Sequence, residues 1–89
     1  MTRKEILEQA DKCVNTDRNN EYGHPEDNFA LIAGFWSVYL GTEVTAKDVG
    51  LMMALLKVAR AVASDKADNF VDLAGYAACA GEITTELFN

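Results

Sequence analysis

Asp68 and Asp72, four residues apart in "DNFVD", have a spacing that could do chemistry. On a helix, positions i and i+4 share a face. Two carboxylates so placed can hold Mg²⁺, a hard cation that takes oxygen ligands and keeps several waters. The ion would orient a water and offset phosphate charge. Such a site needs further ligands. Glu26, Asp27 and Glu82 are of the right type, but nothing in their spacing brings them to the pair. The structural alternative is that Asp68 favours a helix N-terminus and Asp72 is solvated.

"LLKVAR" sets Lys57 and Arg60 three apart on one helical face among apolar residues. Two cations there need anions or water. They can form a phosphate clamp, in which Arg presents a bidentate fork and Lys a point charge. They can equally form a paired edge, reaching Asp68 or Asp72.

The stretch "RNNEYGHPEDNF" at 18–29 holds the chain's one Pro and one His. Arg18 and His24 suit phosphate or ring contacts, and Tyr22 could stack on a base. Asn28, with Asn69 and Tyr76 further on, supplies amide and aromatic contacts of the same kind. The helix N-terminus after Pro25 offers free N–H groups to an anion, although Glu26 and Asp27 oppose that use. The bland reading is a turn in which Tyr22 packs on the core and Asn28 braces the backbone. Trp36 and Tyr39 in "WSVYL" read as core, and so does Cys79 among its Ala and Gly neighbours.

These residues need elements to position them. The pattern predicts four helices, at 3–15, 25–40, 46–63 and 68–87. "TRKE" is a capping box with Thr2 as N-cap and Glu5 at N3, and "TAKD" repeats it with Thr45 and Asp48. Pro25 suits a first helical position and Gly41 a stop. The third helix is apolar nearly all round, which predicts the most buried element or an interface. In the fourth, Gly75 and Gly81 each cost roughly 1 kcal/mol relative to Ala. Close approach by another helix would offset that loss.

No β pattern stands out, so the fold class is all-α: a compact four-helix domain over 1–89. "EDNFALIAGFW" and "ADNFVDLAGYA" echo one another at a constant offset, as Phe29/Phe70 and Gly34/Gly75 show. Coincidence with shared helix-start chemistry would explain the echo, and so would two helix-loop-helix halves with pseudo-twofold symmetry.

Bulk composition narrows the partners. The chain has 89 residues, 49% of them hydrophobic, with a net charge of −6. A chain this short buries only roughly 60% of its unfolded surface, so oligomerisation would extend its core. The acidic balance disfavours nucleic acid and anionic membranes as partners. No apolar run reaches the roughly 18 residues of a membrane span. Without a secretion signal, Cys13 and Cys79 are expected to be reduced thiols in a cytoplasmic protein. No motif demands a cofactor; Mg²⁺ is the one the aspartate pair would take.

Together, R-x-x-x-Y-G (Arg18, Tyr22, Gly23), "PEDNFALIAGFWSVYLG", "DVGLMMALLKVAR" and "DNFVDLAGYAACAGE" resemble a family of small phage and prophage proteins. The resemblance runs over about 18–82 and implies a viral setting more than an activity. A weaker similarity points to all-α MazG-type nucleotide pyrophosphohydrolases, which use Mg²⁺ on acidic helices. Asp68 and Asp72 loosely echo that family's E-x-x-D motif. Its E-E-x-x-E motif is absent, because Glu26 and Asp27 lack the later glutamate.

Three functions follow as expectations. The first is a homo-oligomeric phage protein that holds a nucleotide-like defence signal through Arg18, Tyr22, His24, Asn28, Lys57, Arg60, Asn69 and Tyr76, without turnover. The second is a Mg²⁺-dependent pyrophosphohydrolase built on Asp68 and Asp72. The third is an interaction protein that binds a host protein through a helix face.

Overall fold

The computed structural model describes residues 1–17 and 24–86, apart from the side chains of Asp17 and Glu86. Among the described residues there are four α-helices: α1 (Arg3–Lys12), α2 (Pro25–Leu40), α3 (Ala46–Ala63) and α4 (Ala67–Glu86). A π-helical turn, Cys13–Asp17, continues α1. No strand occurs among the described residues, and the fold is all-α.

Local chemistry fixes the helix ends. Thr2 Oγ1 accepts from Glu5 N at 3.1 Å, and Thr2 N donates to Glu5 Oε1 at 3.0 Å. The same reciprocal box opens α3, where Asp48 N donates to Thr45 Oγ1 at 3.2 Å and Thr45 N to Asp48 Oδ2 at 2.9 Å. Each box satisfies two backbone donors that a helix start leaves orphaned. Gly41 ends α2 with φ at 69°, a left-handed conformation that suits glycine. Ser37 then ties α2 to the following turn. Its Oγ accepts from Val44 N at 2.8 Å and lies 2.7 Å from Ala33 O and 3.2 Å from Val44 O, to either of which it can donate.

The helices pack as neighbours in the order α1, α4, α3, α2, and the α3–α4 contact is the most extensive. Lys57 of α3 meets Asp72 of α4, and Gly50 meets Ala80, so the two helices run antiparallel. Phe29, Ala33, Val49 and Cys79 form the buried core, with Ile32, Trp36, Met53 and Tyr76 packed around it.

Three sequence expectations change on contact with this arrangement. α3 is not the most buried helix. Within it only Val49 and Gly50 are buried, whereas α4 buries Asn69, Val71, Gly75, Cys79 and Ala80. α4 is flanked by both α1 and α3, while among the described elements a long side of α3 has no neighbour. Tyr39 is exposed rather than core. The Phe29/Phe70 echo does not extend to environment: Phe29 is fully buried and Phe70 is 43% exposed. Gly34 faces open space, whereas a Cβ on Gly75 would lie 3.1 Å from Val14. Matching positions on the two helices therefore face different ways.

The glycines show where backbones come close. A Cβ on Gly81 would meet nothing within 4 Å, so among the described residues none makes the close approach expected there. The tightest approach is at Gly50, where a Cβ would lie 2.8 Å from that of Ala80. No described helix is long and apolar enough to cross a membrane.

Candidate functional site

Five of the singled-out residues gather along the α3–α4 seam. Lys57 Nζ lies 2.9 Å from Asp72 Oδ2. The lysine side chain is only 14% exposed and the aspartate 40%. A cation so far out of water needs a partner, and Asp72 supplies it. Asn69, Asp72 and Tyr76 recur at three and four residues, so they share one face of α4. The register that sets Lys57 beside Asp72 brings Arg60, one turn on, to the level of Asn69. Arg60 itself is exposed.

Two of these residues also have structural tasks. Asn69 is buried, and its Nδ2 donates to Ser64 O at 3.4 Å, bracing the turn between α3 and α4. Tyr76 lies against Phe29 with ring centroids 6.2 Å apart, a tilted aromatic pair. What remains for a ligand at the seam is Arg60, with the Lys57–Asp72 pair beside it.

His24 stands elsewhere, at the N-cap of α2. Its Nδ1 accepts from Glu26 N at 3.4 Å, and the residue is exposed. The ring borders a cleft of about 140 Å³ between the π turn, the start of α2 and the middle of α4. Val14, Asn15, Pro25, Ala78, Cys79 and Glu82 complete its lining. Asn15 was not singled out by sequence reasoning. Its side chain bonds Asp11 Oδ1 one turn back, an unremarkable i, i+4 pair in sequence. Asn28 is half-buried in the first turn of α2, and its N–H donates to His24 O. Arg18 and Tyr22 lie outside the described residues.

The metal expectation rests on Asp68 and Asp72. Asp68 is exposed and Asp72 is engaged by Lys57. Among the described residues, no three His, Cys, Asp or Glu side chains come together to hold an ion. Glu26, Asp27 and Glu82 do not join the pair.

Comparison with known proteins gives a phage setting. The chain is 43% identical over 82 residues to the Gene 55 protein of Mycobacterium phage D29, covering 91% of this chain and 54% of that protein. It is 42% identical over 74 residues to the Gene 55 protein of Mycobacterium phage L5, covering 81% of this chain and 47% of that protein. The chain thus spans about half the length of these relatives. No solved structure matches it. These similarities carry the resemblance to small phage proteins; they carry none to MazG-type pyrophosphohydrolases. Residues 5–84, nearly the whole chain, match the family described as "Domain of unknown function (DUF6378)", and the chain belongs to that family.

Proposed function

We propose that this is a phage binding protein that holds a small phosphate-bearing, nucleotide-like ligand without turning it over, and so sequesters a signal of bacterial defence. The observation that carries the "without turnover" half is the Lys57–Asp72 ion pair. A Mg²⁺-dependent hydrolase would need that carboxylate free for the ion, and here an ammonium neutralises it.

Two places supply suitable groups. Arg60, exposed, offers a bidentate fork at the turn end of the α3–α4 seam. The cleft beside His24 has room for a phosphate or a single ring. Asn15 and His24, which line it, flank in sequence the segment 18–23 that carries Arg18 and Tyr22. Glu82 in the same cleft opposes a highly charged ligand and favours one that presents a ring or hydroxyl there.

The test is a nucleotide panel, including cyclic and ADP-ribose-derived signals, incubated with the protein and Mg²⁺. The protein is filtered off and the filtrate chromatographed before and after heat denaturation. The expected result is a nucleotide that vanishes and returns intact on heating, with retention weakened in Arg60→Ala and His24→Ala. Release of pyrophosphate that Asp72→Asn abolishes would replace this reading with the hydrolase.

A second reading, an interaction protein for a host partner, is favoured by α2. Leu31, Phe35 and Val38 recur at four and three residues on its outer side and all are exposed. A free apolar stripe of this kind marks a protein contact surface.

A further inference from the structure

We infer that α3 pairs with the α3 of a second copy of this chain, antiparallel, across a twofold axis. The inference is independent of any nucleotide. Leu51, Leu55, Val58 and Val62 follow one another at four, three and four residues, the spacing of a coiled-coil seam. None is covered: their exposures are 44%, 66%, 43% and 86%. The stripe lies on the side of α3 that neither α2 nor α4 occupies.

The stripe fits itself. In an antiparallel pair, Leu51 meets the Val62 position of the other copy and Leu55 meets the Val58 position. That is the reciprocal contact a twofold interface requires. Each chain carries a net charge of −6, so most faces of two copies repel. This one does not, because the positions flanking the stripe are Met52, Ala54, Ala59 and Ala61. Antiparallel packing also sets the helix dipoles head to tail.

The experiment is light scattering on a sizing column at micromolar concentration, for the wild type, Leu55→Glu, Val58→Lys and a mixture of the two variants. The wild type should run at twice the chain mass and each variant at one chain mass. The mixture should recover the doubled mass, because antiparallel pairing sets Glu at 55 opposite Lys at 58. Leu7→Glu, on an equally exposed α1 position, should stay dimeric. Both seam residues are exposed, so circular dichroism should show folded variants; Val62→Glu substitutes if Leu55→Glu unfolds. A monomeric wild type, or a dimer that survives Leu55→Glu, overturns the proposal. Failure of the mixture to re-form the dimer overturns the antiparallel register.

Discussion

A Cβ placed on Gly50 would lie 2.8 Å from the Cβ of Ala80 and 3.3 Å from Cε2 of Phe29. Here α3 and α4 approach closely, and the fully buried Phe29 ring closes over them. The glycine is therefore a packing requirement of the inner helix pair.

Gly50→Ala is expected to destabilise the fold. The added methyl would gain up to about 1 kcal/mol of helix propensity. Overpacking a filled core costs about 1–3 kcal/mol, because Phe29 or the backbone of α4 must shift. Gly34→Ala carries the same propensity gain and meets nothing within 4 Å, so it should raise the melting temperature. Ala80→Gly should partly rescue Gly50→Ala, giving a double mutant less damaged than the two single losses added together. Thermal melts of the four variants check this; an unharmed Gly50→Ala would mean the helices stand further apart than described.

The Lys57–Asp72 pair makes a directional prediction. Asp72→Asn leaves the ammonium of a mostly buried lysine without its counter-charge. Lys57→Met removes that charge and keeps the apolar stem against the seam. The aspartate variant should lose more, by about 1–2 kcal/mol, even though Asp72 is the more exposed partner. Urea midpoints of the two variants test the order. Equal losses would mean that the pair acts through its stems rather than its charges.

The legible part of this fold was the part held by neighbours in sequence. Both Thr capping boxes, the start at Pro25 and the stop at Gly41 depend on residues no more than four apart. The pairing of Lys57 with Asp72 was also among the readings that charge alone suggested. What stayed hidden depends on distance along the chain. Gly50 gave no local sign of its role, because Ala80 lies on another helix. Gly75 and Gly81 stand out through their small neighbours, yet of the two only Gly75 meets a described residue at close range. An apolar run such as α3 reads the same whether its own chain or another molecule covers it. The structure separates the two cases, with Val49 covered and Val62 open. Of the candidate site, the cleft at His24 could not be foreseen, since it joins the π turn to the middle of α4.

The two capping boxes should set how the protein responds to acid. The backbone N–H and the hydroxyl of Thr2 hold the Glu5 carboxyl below the ordinary carboxylate range. Thr45 does the same for Asp48. A carboxyl depressed in the folded state contributes stability that is fully present above its unfolded value. That contribution is lost as pH falls through the folded value, because the unfolded chain binds its proton first. Melting temperature should therefore hold steady at neutral pH and drop once pH enters and passes below the carboxylate range. Thr45→Ala should cost about 1 kcal/mol at neutral pH and flatten the acid slope. Thr2→Ala should do less, since the only residue that α1 buries, Ala10, lies two turns on, whereas α3 starts one turn before the fully buried Val49. Melts by circular dichroism across the acid range check both claims. An acid slope in Thr45→Ala as steep as in the wild type would show that other carboxylates, not the box, govern the acid transition.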